Sequence, residues 1–149
     1  VMASDSPHTF IIDTTSPIVT INTVTTPTNQ NSQTISGTFT ETNIDTINVN
    51  GVNATISGDN YTAENVPLSE GSNTITVTAR DLAGNTGTAG ASINLDTQDP
   101  IITNVSPADG SYISDNTPII SATLSDDNSG IDTSSVTISV NGTNVTDSA

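Results

Sequence analysis

Asn50-Gly51 sits between two runs in which every second residue is apolar: Ile47 and Val49 before it, Val52, Ala54 and Ile56 after it. Alternation of period two is the mark of a half-buried strand. Asn-Gly is the dipeptide that accepts the positive φ angles of a tight hairpin turn. Together they commit the middle of the chain to antiparallel β structure. The same pattern recurs on both sides. Ile35, Gly37 and Phe39 alternate, Tyr61 and Ala63 follow, and Ile75, Val77 and Ala79 make a clear strand after the turn Glu70-Gly71-Ser72-Asn73. Ile93 and Leu95 close the series. No stretch carries the 3.6-residue period of an amphipathic helix, and Thr, Ser and Asn, 64 of the 149 residues, are weak helix formers. The spacing predicts an all-β fold, a sandwich of two sheets.

The pattern is also repeated at a larger scale. Asp13-Thr14-Thr15-Ser16-Pro17 and Asp96-Thr97-Gln98-Asp99-Pro100 lie 83 residues apart, and each leads into an apolar run. Val-Asn-Gly occurs at 49–51 and again at 140–142, and the segment Asp126–Asp132 accounts for most of the extra length of the second copy. Val1-Met2-Ala3-Ser4-Asp5 echoes Val77-Thr78-Ala79-Arg80-Asp81, with an apolar strand expected at Thr9–Ile12 as at Ala91–Leu95. The expectation is a tandem array of β-sandwich modules, one complete and flanked by partial ones. Residues 1–13 are the last strands of a preceding module or a donated strand, 14–96 a complete module, and 97–149 the front of another. Half a sandwich leaves an apolar face and open edges. The chain is therefore read as a window on a longer repeat protein. The alternative is a subunit completed head to tail by a strand from another copy.

Composition excludes several function classes. Sixteen acidic residues face one basic residue, Arg80, for a net charge of −15. Such a chain has no basic face for phosphates, which excludes a nucleic-acid binder. No apolar run approaches the length of a membrane span. Without cysteine there is no disulfide and no thiol chemistry. Residues 1–10 do not read as a signal peptide. The polar, Thr-rich surface suits an extracellular, cell-surface setting.

The stretch Val49–Gly87 resembles the immunoglobulin-like repeats of bacterial and archaeal cell-surface proteins, including the accessory domain of glucodextranase. The resemblance is carried by Val49-Asn50-Gly51, by Pro67-Leu68-Ser69-Glu70-Gly71-Ser72-Asn73 and by Ala79-Arg80-Asp81-Leu82-Ala83-Gly84-Asn85-Thr86. Arg80 stands where such repeats usually have a small or polar residue. Ser106-Pro107-Ala108-Asp109-Gly110 and Ser125–Ser135 are similar to a sister type of the repeat. The resemblance implies immunoglobulin-like β-sandwiches in adhesins, surface-layer proteins and spacers of secreted glycosidases.

Candidate chemistry is sparse. His8 is the single histidine and is read as a solvated side chain, and the acidic residues fall in turns and at module edges. No catalytic residues are assigned and no enzymatic activity is expected. Calcium, a hard cation that takes six to eight oxygens, is the cofactor considered. Three clusters offer oxygens. The first is the junction set, Asp96 and Asp99 with the loop Asp81–Asn85, although that loop is equally able to face the incoming junction at Asp13. The second is Asp126, Asp127, Asn128 and Asp132, with Gly130 permitting the turn. The third is Asp5 with Asp13. Against all three stands the ordinary preference of Asp and Asn for turns. Asn-x-Ser/Thr sequons at Asn53, Asn60, Asn104, Asn141 and Asn144 are candidate glycosylation sites. Tyr61 and Tyr112, the aromatics available for stacking on a sugar, are read as packing residues. The chain is thus expected to be a non-catalytic structural module of a surface layer, adhesin stalk or filament, alternatively a carbohydrate-binding or spacer domain of a secreted hydrolase, or a strand-donating subunit. Its expected partners are neighbouring modules or copies and cell-surface glycans.

Overall fold

The structure, a computed structural model, describes residues 10–140 and 142–146. It divides into two units, Val1–Leu95 and Asp96–Ala149. The readings placed on Asp5, His8, the echo at Val1–Asp5 and Asn141 lie outside the described residues.

The first unit is a sandwich of two four-stranded sheets. One sheet carries β1 (Ile18–Val19), β2 (Ser32–Thr40), β6 (Asn60–Pro67) and β5 (Thr55–Ser57), in the order β1-β2-β6-β5. The other carries β4 (Val52–Asn53), β3 (Ile44–Val49), β7 (Gly71–Asp81) and β8 (Thr86–Leu95), in the order β4-β3-β7-β8. All strand pairs are antiparallel. The inward residues are those that the alternation marks, with Val19 and Val66 added. Val19, Ile35, Phe39, Tyr61, Ala63 and Val66 from one sheet face Ile47, Val49, Ile75, Val77, Ala79, Ile93 and Leu95 from the other, and all are buried. Deleting a side chain such as Ile35 or Ile75 from a core like this costs about 2–5 kcal/mol.

Three local devices fix the register. Asn50 (φ 47°) and Gly51 (φ 92°) form a turn with both central residues left-handed, the geometry that matches strand twist. The Asn50 side chain then binds the neighbouring strand, donating to the Thr74 carbonyl and accepting from Thr76 N–H, both at 2.9 Å. Asn73 folds back on the loop before β7. It accepts from Ser69 N–H at 2.8 Å and donates to the Ser69 and Gly71 carbonyls at 2.7 and 2.9 Å. Gly37 faces the core opposite Tyr61. A Cβ there would lie 2.0 Å from the Thr20 carbonyl oxygen. The missing side chain admits the Tyr61 ring, whose hydroxyl donates to that same Thr20 oxygen at 2.7 Å. Burial pushes the Tyr61 phenol up to about 12, so it remains a donor at any ordinary pH.

The second unit pairs β9 (Ile101–Ser106) with β10 (Ser121–Ser125) and β11 (Ser139–Val140) with β12 (Thr143–Asn144), with one 3-10 turn at Thr133–Ser135. Pro118, Ile119, Ile120, Ile138, Val140 and Val145 line an apolar groove of about 550 Å³. Within the described residues Phe10–Ile12 pair with no strand and are 78–87% exposed. One expectation needs correction. Tyr112 is fully exposed and is not a packing residue: it lies in a loop, where no alternation directs it inward.

These contacts predict unequal costs at one spot. Gly37→Ala drives a Cβ into backbone and should cost about 3 kcal/mol or more through overpacking. Tyr61→Phe removes one hydrogen bond and should cost about 1 kcal/mol. Urea denaturation of the two variants checks the order, and a cheaper Gly37→Ala would refute the described packing.

Candidate functional site

The alternation that builds the core also delivers a carboxylate to its end. On β7, Ile75, Val77, Ala79 and Asp81 share the inward face, so Asp81 is fully buried. A buried charge needs hydrogen bonds, and the loop after β7 supplies them. Asn85 donates from its backbone N–H to Asp81 Oδ1 and from its side chain to Oδ2, both at 2.8 Å. Gly84, at φ 94°, lets the chain close this turn without strain. Burial on its own raises the Asp81 carboxyl. The hydrogen bonds from Asn85, Gly84 and Ala83 outweigh it and hold the group below the usual 3.8.

The same Asn85 amide reaches the incoming linker, donating to the Asp13 carbonyl at 3.1 Å. Of the two partners open to the Asp81 loop, the structure places it against Asp13. A third acid, Glu41, follows the last residue of β2 and accepts from Asn43 N–H at 3.0 Å. Asp13, Glu41 and Asp81 each bring a carboxylate oxygen within 4.8 Å of the other two. Arg80, the single Arg or Lys of the chain, is on the opposite face of β7 and pairs with Asp45 at 3.3 Å, so it does not neutralise the cluster. Sequence reasoning missed Glu41. The one available signal was its counterpart Asp126, since each acid directly follows the second strand of its unit, 28 and 30 residues after the linker Asp.

The remaining sequence-predicted ligands lie in the second unit. Asp96 is nearly buried. It accepts from Gln98 N–H at 3.0 Å and from Ser129 N–H at 2.8 Å. The same Ser129 N–H reaches Asp126 Oδ1 at 3.0 Å, and Gly130 N–H reaches it at 2.7 Å. The Ser129 hydroxyl and the Gln98 amide lead in holding the Asp96 carboxyl below its usual value. Asp99, Asp127 and Asn128 line a small pocket with Gln98, Ile101, Ser125 and Asp126. Asp132 turns away to cap the 3-10 turn, accepting from Ser134 N–H at 3.0 Å. The Ser134 hydroxyl leads in lowering its pKa. Among the described residues, these acids do not form a second group of three converging carboxylates.

Of the sequons, Asn53, Asn60, Asn104 and Asn144 are exposed. Asn53 accepts from the Asn48 side chain and Asn104 donates to Thr123. Asn144 accepts from Thr146 N–H within its own sequon.

The cluster at Asp13 is all hard oxygen, a donor set for calcium or magnesium in preference to a transition metal. Asp81, fully buried and held by Asn85, is not placed to meet a substrate.

The lowered carboxyls make a pH prediction. A carboxyl with a depressed folded pKa adds stability above its unfolded value, near 3.8, and loses it as pH falls through the folded one. Urea unfolding should show a loss of stability that sets in at about pH 5 and deepens as pH falls below 3.8, shallower in Asp81→Asn. An unchanged profile in that variant would contradict the assignment.

Two comparisons bear on this geometry. The sequence profile of the family described as glucodextranase, domain B, matches residues 13–97, from the linker acid Asp13 through β8 to just beyond Asp96. Bacillopeptidase F of Bacillus subtilis (strain 168) is 32% identical over 108 residues, 71% of this chain and 8% of that protein. The chain thus spans a small fraction of this relative's length. The first unit has the two-sheet architecture expected of an immunoglobulin-like domain, and the matched range begins at Asp13 and ends one residue past Asp96. The chain belongs to the glucodextranase domain B family.

Proposed function

We propose that the chain is a non-catalytic structural segment of an extracellular protein, a spacer of immunoglobulin-like modules whose entry linker is braced by a calcium ion. The observation that carries this reading is the position of the carboxylate cluster: Asp13 comes from the linker, Glu41 and Asp81 from the ends of strands in opposite sheets. A divalent ion held among them ties the linker to both layers. Three oxygens leave the rest of a calcium shell to water and carbonyl groups. The net charge of −15 favours the same ion, since uncompensated carboxylates repel. Pro17, buried next to the linker, adds stiffness by fixing φ.

The parent is a cell-surface protein (a surface layer, adhesin stalk or filament) or, as the second reading, a secreted enzyme carrying the chain as an accessory segment. The match to a small part of bacillopeptidase F favours the second. Among the described residues no helix is long and apolar enough to cross a membrane. Neighbouring modules are the expected partners. Cell-surface glycans are a further one, for which the exposed Tyr112 ring offers a stacking face. The exposed sequons at Asn53 and Asn60 are positions for attached glycans.

Thermal unfolding in a calcium titration tests the brace. Free calcium at about 100 times its Kd stabilises by about 2.7 kcal/mol, and 1 kcal/mol moves the Tm of a domain this size by about 4–8 °C. The chain should gain on the order of 10 °C or more, and Glu41→Gln should abolish the gain. An unchanged Tm in the unsubstituted chain would overturn the calcium brace.

A further inference from the structure

The two linkers share a device that neither the spacer reading nor the cation requires. In the first copy, Asp13 Oδ1 accepts from Thr15 N–H at 3.0 Å, two residues on. In the second, Asp96 Oδ1 accepts from Gln98 N–H at 3.0 Å, again two residues on. Each acid is then fastened to the module that follows it. Asp13 receives the Asn85 side chain on its carbonyl. Asp96 receives Ser129 N–H on Oδ2. Downstream of Asp13, Gly87 leaves room for the linker, since a Cβ there would lie 1.8 Å from the Pro17 carbonyl oxygen.

Upstream of Asp96 the chain is equally tied, but to the first unit. Leu95 is buried, pairs with Gly71 and bridges to Thr28. Asn94 accepts from Thr28 N–H at 3.0 Å through its carbonyl, and its N–H donates to the Thr26 hydroxyl at 2.9 Å. The last anchored residue of one unit and the first of the next are therefore adjacent in sequence.

We infer that the Asp of each Asp-Thr-x-x-Pro phrase is a latch that fastens the linker to the module downstream, so that the free connection between the units narrows to the Leu95–Asp96 peptide. The Asp-Thr-x-x-Pro phrase, read from sequence as a linker, becomes part of the second unit. Released from the latch, residues 96–100 would behave as a flexible chain with an end-to-end distance of roughly 12 Å. Latched, they have no slack to contribute. The inference deepens the spacer reading, but its geometry at Asp96 involves neither the Asp13 cluster nor an ion.

Backbone 15N relaxation of the full chain without calcium tests it. Thr97, Gln98 and Asp99 should have order parameters near the about 0.85 of rigid backbone, and Asp96→Ala should drop them below about 0.6 while β7 and β8 keep theirs. Asp96→Asn retains an acceptor oxygen for Ser129 N–H and should keep most of the rigidity, which separates loss of the latch from loss of the fold. Asp115→Ala, which removes a similar turn at Thr117, should leave 97–99 unchanged. Low order parameters in the unsubstituted chain, or no change in Asp96→Ala, would overturn the latch. A failed calcium titration with these results intact would remove the ion and leave the latch standing.

Discussion

One face of one strand organises the first unit. β7 runs through the sheet β4-β3-β7-β8 with strands on both sides, and its alternation puts Ile75, Val77, Ala79 and Asp81 on a single inward line. The first three are core. The fourth is a buried acid at the sandwich end where the linker enters. A slip of one residue would turn all four toward solvent. The devices that hold register, the Asn50 clamp onto Thr74 and Thr76 above all, therefore also hold the carboxylate in place. Core and candidate site are two ends of the same constraint.

The arrangement explains why an unusually polar chain folds without cysteine, lysine or a large aromatic core. Among the described residues burial is concentrated in 13 apolar residues between two sheets, all aliphatic except Phe39 and Tyr61, and the polar residues act as local staples. Asn50 and Asn73 each use both ends of the side-chain amide, and Asn85 its backbone and side-chain N–H groups, to join segments that side-chain packing leaves loose. Asp81 and Asp96 are charged, buried and satisfied by N–H donors. Removing a donor from such a group costs its desolvation, not merely one bond. Surface charge pairing contributes little: the Arg80–Asp45 pair is half exposed and of the class worth less than about 1 kcal/mol.

Much of the fold was legible because alternation is a local signal. The inward positions of β2, β3, β7 and β8 follow from period two alone, and the Asn50-Gly51 turn from the dipeptide; in β6 the period holds for Tyr61 and Ala63 and breaks at Asn65, at φ 56°, so that Val66 turns inward. The site was legible in part. Asp81, Asn85 and Asp13 were recognisable as turn and linker acids or amides, but which linker the Asp81 loop meets depends on how the sheets stack, and local pattern does not encode that. Glu41 carried no pattern of its own, since a lone acid after a strand reads as ordinary surface. The order Asp126-x-Asn128-x-Gly130-x-Asp132 resembled a cation loop. In the structure Gly130, at φ 79°, redirects the chain and Asp132 leaves to cap a 3-10 turn. Tyr112 was misjudged because apolar character predicts burial only where another element is there to cover it.

The most direct test of the account is a crystal structure of the chain grown with calcium. The account predicts ion density bounded by carboxylate oxygens of Asp13, Glu41 and Asp81 at about 2.3–2.6 Å, with Asp81 still in line behind Ala79. An ordered linker with no ion there and Asp81 turned to solvent would contradict it.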